Sequence, residues 1–231
     1  MDGQTAVVTG ASRGIGKAVA HVLAEAGADV RICARDGAAV ETVADAIREA
    51  GGSATAMRAD VRDEFDIERL MERAARDGGA IDTVVANAGV YHGDPGQTPL
   101  SSDSYSAFDD HFRTNARGVF ATIREALPHL APDARVLVSS GVVARETRAG
   151  FGSYAVSKAA AESVAMHFAA DIDQTVTVVD PGQVATDLTG GQGRDAADAA
   201  LQYRWVARDA DPDTIDGAVV DHRTYRDATT A

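Results

Sequence analysis

The sequence predicts an α/β fold: a single domain on a doubly wound parallel sheet of about seven strands, with helices on both faces. Three observations carry this. Short apolar runs of strand length alternate strictly with amphipathic stretches of helical length. The first run ends in a glycine-rich turn that opens straight into a helix. The length, 231 residues, suits one hydrophobic core. Right-handed crossovers between parallel strands then place helices on both sides of the sheet.

Each element has its own signal. Ala6-Val7-Val8 is a short buried strand ending at Thr9-Gly10. Val19, Val22, Leu23 and Ala26 come next at helical spacing, closed by Gly27. Val30 to Cys33 is the second strand, and Val40, Val43, Ala44 and Ile47 mark a second helix closed by Gly51-Gly52. Residues 54–59 read as the third strand. Ile67, Leu70, Met71 and Ala74 mark a third helix ending near Gly78-Gly79, before a fourth strand at Thr83 to Ala86. A long helix is expected over 104–130, with Phe108, Phe112, Val119, Phe120, Ile123 and Leu127 on one face. Strand five spans Arg135 to Val138, a helix covers 152–171, and strand six spans Val176 to Val179. A last helix over 195–208 precedes a short strand at Ala218 to Val220. The polar tail after Thr224 is expected to fray. No internal repeat or linker divides the chain, so residues 1–231 form one domain.

Acidic residues number 35 and basic residues 22, a formal net charge of −13. Such a surface repels phosphate backbones, which argues against nucleic-acid binding. No run approaches the roughly 18 to 20 apolar residues of a membrane span, and the N-terminus has no signal-peptide pattern. The lone Cys33 cannot form an internal disulfide. His21, His111, His129, His167 and His222 show no ligand spacing, so no metal site is expected. The expectation is a soluble, cytoplasmic protein. Only Lys17 and Lys158 are lysine, against twenty arginines, and only Asn87 and Asn115 are asparagine. Abundant carboxylates with few lysines suit a halophilic cytoplasm; a GC-rich genome is the alternative, and salt-dependent unfolding separates the two.

The turn after the first strand reads Thr9-Gly10-Ala11-Ser12-Arg13-Gly14-Ile15-Gly16. Its glycines let the backbone turn tightly and approach a pyrophosphate held at the helix N-terminus. An acid at the end of strand two would bind a ribose 2′-hydroxyl and favour NAD. Here Ala34 is followed by Arg35, so Arg35 and Arg13 offer two guanidiniums to a 2′-phosphate. Tyr154 and Lys158 lie four apart on a helix and share one face. A free tyrosine titrates near roughly 10, too high for easy proton transfer, and a nearby ammonium with a positive nicotinamide would lower it.

The TGxxxGxG turn, Asn87-Ala88-Gly89 after strand four and Tyr154-x-x-x-Lys158 together resemble the short-chain dehydrogenase/reductase family over nearly the whole chain. The resemblance implies a Rossmann-type fold and NADP(H) as cofactor. NAD(H) is the alternative, because Asp36 could pair with Arg35 or contact a ribose. It assigns Gly10, Ser12, Arg13, Gly14, Ile15, Gly16 and Arg35 to the dinucleotide. Asp60 and Val61 go to adenine, and Asn87, Ala88 and Gly89 to a chain passing the adenosine ribose, the Asn stabilising the sheet edge. Pro181, Gly182, Val184 and Thr186 would clamp the nicotinamide carboxamide. Tyr154 would be the general acid/base, and Lys158 would also bind the nicotinamide ribose. Asn115, mid-helix against its propensity, would kink that helix and hold a water on a proton relay.

The family serine usually stands thirteen residues before the tyrosine, which here is Gly141. Ser140, with a loop one residue longer, is preferred over Ser139; loss of the serine is the third reading. Leu188-Thr189-Gly190-Gly191 resembles the short segment of carbonyl reductases and predicts an open pocket, with Tyr91, His92, Val142 and Phe151 as candidate lining. The ending, Asp216 to Asp221, departs from the family pattern. Trp205 and Tyr203 are expected in core or interface. The expectation is a reversible carbonyl reductase acting on a small carbonyl or alcohol. Alternatives are a 3-ketoacyl reductase of lipid synthesis and a non-catalytic dinucleotide sensor. A homodimer or homotetramer through helices 104–130 and 152–171 is expected.

Overall fold

The computed structural model describes residues 1–230. Seven parallel strands run in the order β3-β2-β1-β4-β5-β6-β7. They are β1 Thr5–Thr9, β2 Asp29–Ala34, β3 Ser53–Arg58, β4 Ile81–Ala86, β5 Leu130–Ser139, β6 Thr175–Asp180 and β7 Val219–Asp221. Between them lie α1 Gly14–Glu25, α2 Gly37–Glu49, α3 Glu64–Gly78, α4 Tyr105–His111, α5 Gly118–Ala126, α6 Gly152–Asp171, α7 Ala196–Arg208, α8 Pro212–Ile215 and α9 His222–Thr229. The sheet alternation divides the core in two. Val8, Val85, Leu137 and Val179 face one layer with Leu23, Ile47 and Tyr203. Their neighbours Val7, Val84, Val138 and Val178 face the other with Ile67, Met71, Ile123 and Ala165. Successive strand residues point to opposite faces, so a doubly covered sheet needs apolar runs rather than alternation. The chain order reverses between β1 and β4, where a crevice opens at the strand C-termini.

Three expectations need correction. The helix expected over 104–130 is interrupted by a π-helical segment, Phe112–Arg117, and its last turn, Leu127–His129, is 3₁₀. A π segment adds a residue per turn and rotates the downstream helix by about 100°. The aromatic set therefore does not share one face: Val119 and Ile123 are buried, whereas Phe108 and Phe120 are exposed. The tail does not fray from Thr224, because Asp221 caps α9 by accepting from the Thr224 amide at 2.7 Å. Trp205 lies against Tyr225 of that helix, with centroids 5.8 Å apart. β5 starts earlier than expected, at Leu130. No helix among the described residues is long and apolar enough to cross a membrane.

Candidate active site

The glycine turn is built around Thr9 and Asn87. The Thr9 hydroxyl accepts from the amides of Asn87 (3.1 Å) and Ala88 (3.2 Å). The Asn87 amide nitrogen donates to the carbonyls of Thr9 (3.1 Å) and Gly10 (3.2 Å). Asn87 thus ties central strands β1, β4 and β5 together, the last through Ser139 Oγ at 3.2 Å. It does not stabilise a sheet edge, because β4 is central. Gly10 is obligatory: its φ is +68°, and a Cβ there would stand 2.7 Å from the Ala88 Cα.

This turn fits a dinucleotide phosphate. Asp36, Asp63, Asp195 and Asp221 cap α2, α3, α7 and α9, but Arg13 before α1 makes no side-chain cap. The first amides of α1 are left for an anion. A cavity of about 1260 Å³ runs from here along the strand ends. Gly10, Ser12, Arg13, Gly14, Ile15, Arg35, Asp60, Val61, Asn87, Ala88, Gly89 and Thr186 line it, with Tyr91 and His92 at one end. Gly16 lies beneath the turn, against Asn87. Pro181, Gly182 and Val184 are not in its lining; Val184 instead bridges to Arg194.

The charged residues of this end are disposed differently from one another. Arg35 is exposed and, among the described residues, makes no ion pair. Asp36 is occupied as the cap of α2, accepting from the Ala39 amide at 3.0 Å, rather than pairing with Arg35. Arg13 meets Asp187 at 3.2 Å, an exposed contact. Asp60 is gripped by Arg62, which also holds Asp110 at 2.7 Å.

At the other end, the π segment seats Asn115. Its side-chain oxygen accepts from the Val90 amide (2.8 Å), and its nitrogen donates to the Val90 carbonyl (2.9 Å) and Ser157 Oγ (2.9 Å). Ser157 donates onward to the Tyr154 carbonyl at 2.7 Å. Lys158 is buried, and its Nζ donates to the Ser139 carbonyl at 2.5 Å. That bond docks α6 on the end of β5. Ser139 Oγ is already used, donating to Asn87 and accepting from the Tyr203 hydroxyl at 3.0 Å. Ser140 Oγ is buried without a partner. A buried hydroxyl without a partner is costly unless something else satisfies it.

Burial pushes the Tyr154 hydroxyl up to about 12, helped by Tyr91 and Asp180. Burial draws Lys158 down to about 8, against the opposing pull of Glu162 and Asp180. The protein's own groups therefore do not lower Tyr154, contrary to expectation. Lys158 is turned onto a carbonyl, and a nearby carboxylate adds negative potential.

Tyr91 and His92, expected as lining, do line the cavity. The Tyr91 ring lies 4.7 Å from that of Tyr154, and its hydroxyl donates to the Gly150 carbonyl at 3.2 Å. Sequence reasoning missed two other neighbours, His111 and Thr114. His111 is fully buried. Burial, with His92 beside it, lowers its pKa. Its Nε2 accepts from the His92 amide at 2.9 Å, so Nδ1 carries the proton toward Ser153 Oγ at 2.7 Å. Thr114, beside Asn115, lines the cavity and has a buried hydroxyl without a partner. His111 and Thr114 sit within four residues of Asn115, but no pattern marked them. Val142 and Phe151 are not in the cavity lining; Phe151 forms an isolated bridge with Thr98.

A family model described as short chain dehydrogenase matches residues 4–197. The versicolorin reductase stcU of Emericella nidulans is 36% identical over 81% of this chain and 72% of its own. The hydroxynaphthalene reductase arp2 of Aspergillus fumigatus is 33% identical over 81% of this chain and 69% of its own. A short chain dehydrogenase from Burkholderia cenocepacia, solved in complex with NADP, superposes with a TM-score of 0.86 at 30% identity. That alignment covers 95% of this chain and 96% of the other. With the sheet order, the glycine turn and these matches in agreement, the chain belongs to the short-chain dehydrogenase/reductase family, oxidoreductases of carbonyl and alcohol groups.

Proposed function

We propose that the protein is an NADP(H)-dependent carbonyl reductase, reversible as an alcohol dehydrogenase. The observation that carries this is the docking of Lys158 on the Ser139 carbonyl. Four residues before Lys158 on α6, Tyr154 lies against Tyr91, which lines the cavity that starts on the glycine turn. Tyr154, Ser140 and Lys158 lie just behind that lining. A dinucleotide held on the glycine turn would supply hydride chemistry at the carbonyl carbon. Tyr154, protonated at neutral pH, gives its phenolic proton to the carbonyl oxygen. Ser140 Oγ, free of protein partners, donates to that oxygen and orients it. Lys158 supplies positive charge on the same face of α6 and would hold the nicotinamide ribose. Asn115 fixes the π segment to Val90 and to α6 through Ser157, which sets the Tyr154 backbone.

NADP(H) over NAD(H) is supported by Arg35, which is exposed on the cavity, while Asp36 is occupied as a helix cap. The remaining dinucleotide contacts are assigned to Gly10 through Gly16, Asp60, Val61, Asn87 to Gly89, Pro181, Gly182, Val184 and Thr186. A flat, aromatic ketone suits the Tyr91–Tyr154 wall, and two relatives are named for reducing versicolorin and hydroxynaphthalene. Phe108, Phe120 and Val156, exposed on α4, α5 and α6, suit a homo-oligomer contact. A cytoplasmic setting, with its NADPH supply, belongs to the same reading. The test is NADPH oxidation across a panel of aldehydes, alkyl ketones, fused aromatic ketones and 3-ketoacyl thioesters. No oxidation of any, with NADPH still bound, leaves a dinucleotide sensor.

A further inference from the structure

Behind Tyr154 three charged side chains, Lys158, Glu162 and Asp180, are buried, and a fourth, the exposed Arg145, reaches in to them; only Lys158 belongs to the motif. Lys158 is 7% exposed and Glu162, one turn further along α6, is also 7% exposed. Asp180, at the end of β6, is 3% exposed. Arg145, on the loop between β5 and α6, bonds both carboxylates, one with each terminal nitrogen. One cation and two anions are buried, and the guanidinium of Arg145 brings the second positive charge from the protein surface. Asp180 is further fixed by accepting from the Gly182 amide at 2.9 Å, and Gln202 donates to its carbonyl at 3.2 Å.

The ammonium itself bonds a neutral carbonyl, that of Ser139. A buried ammonium with no anion nearby loses its proton near neutrality. The charged groups that act on Lys158 are Glu162, one turn along α6, and Asp180 of β6. Arg145 of the preceding loop bonds both carboxylates, and Tyr203 of α7 and Tyr154 of α6 are the titratable neighbours, the former through Ser139. Of these, only Glu162 and Asp180 bring negative charge at neutral pH. Arg145 holds both carboxylates in place, one with each terminal nitrogen.

We propose that Glu162 and Asp180, held by Arg145, are positioning residues that keep the buried Lys158 protonated at the pH where the enzyme works. The role attached to Lys158 rests on the proposed function; its protonation does not. Lys158 acts as the ammonium, so reduction is present below its pKa and lost above it. That value is about 8 in this protein, while Tyr154 lies near 12. The alkaline limb of the reduction rate therefore reports the lysine. Removing an anion lowers that limb.

The chain has two lysines, so ¹³Cε-lysine NMR shows two titrating signals, with exposed Lys17 as the internal reference. Glu162→Gln should lower the Lys158 midpoint by about one pH unit and leave Lys17 unmoved. Glu162→Asp should restore most of it. Arg145→Met combined with Glu162→Gln removes one charge of each sign and should bring the midpoint back up. If Glu162→Gln does not fold, Asp180→Asn carries the same sign, because it retains the oxygen that accepts from Gly182. An unmoved Lys158 midpoint in folded Glu162→Gln or Asp180→Asn overturns the proposal, whatever happens to the melting temperature. A midpoint that moves in a chain reducing no carbonyl upholds the charge assignment and sinks the reductase reading instead.

Discussion

At the adenine end, Arg35 stands exposed on the cavity, and Arg13 meets Asp187 with both side chains 76% exposed. Beside Lys158, Arg145 binds Glu162 and Asp180, whose side chains are 9% and 5% exposed. The outer charges are screened by solvent and contribute little to stability. They are free to meet a ligand. The inner charges cannot be unpaired cheaply, so they are suited to setting one another's protonation. Under the proposed function, one end would present charge to the cofactor and the other would hold charge for the chemistry.

The sharpest way to break this division is at the inner end. Tyr154→Phe keeps the ring against Tyr91 and removes only the hydroxyl. Reduction should fall roughly 10²- to 10⁴-fold, with NADPH binding by fluorescence nearly unchanged. Comparable losses in binding and turnover would mean that Tyr154 holds the cofactor rather than moving a proton. The serines come next. Ser140→Ala should lower turnover by roughly 10²-fold, as loss of an oxyanion donor does. Ser139→Ala should leave turnover within a few-fold but cost about 1 kcal/mol of stability, since its hydroxyl joins Asn87 to Tyr203. The reverse pattern in turnover would move the role to Ser139.

The preference for Ser140 in the sequence rests on a Ser-Ser-Gly run that resembles carbonyl-reductase-like members. Counting thirteen residues back from Tyr154 lands on Gly141, and nothing in the spacing separates the two serines. The separation appears only when Tyr203, sixty-four positions away, takes Ser139. The strands and α6 are legible in the sequence because apolar runs and local spacing determine them; α6 spans Gly152–Asp171 as expected. The π segment is not legible, since inserting a residue into a helix leaves the hydrophobic pattern ambiguous. The Asn115–Val90 clamp holds it in place through a distant loop. Arg145, Glu162 and Asp180 escape sequence reasoning for the same reason. Each is an ordinary charged residue until folding brings loop, helix and strand end together.

A smaller effect is expected at the outer end. Arg35→Ala should weaken NADPH binding about tenfold and leave NADH unchanged, in keeping with one lost charge-assisted contact. Arg13→Ala should do less, because Arg13 must first leave Asp187 to reach a 2′-phosphate. Isothermal titration with both cofactors checks this. Equal losses for NADPH and NADH in Arg35→Ala would put that residue off the 2′-phosphate.

Ionic strength acts on the two ends unequally and gives the mildest test. The Debye length is about 10 Å at 0.1 M salt and about 3 Å at 1 M. Over that range the NADPH-over-NADH preference should shrink a few-fold, because Arg35 and Arg13 act from solvent. The Lys158 midpoint should hold within about 0.3 of a pH unit, since salt does not enter the interior that Glu162 and Asp180 share with it. A preference that survives 1 M salt would mean that the guanidiniums touch the phosphate in a closed, bidentate contact rather than through a screened field. A midpoint that drifts with salt would mean that Glu162 and Asp180 are open to solvent, and the contrast between the two ends would then dissolve.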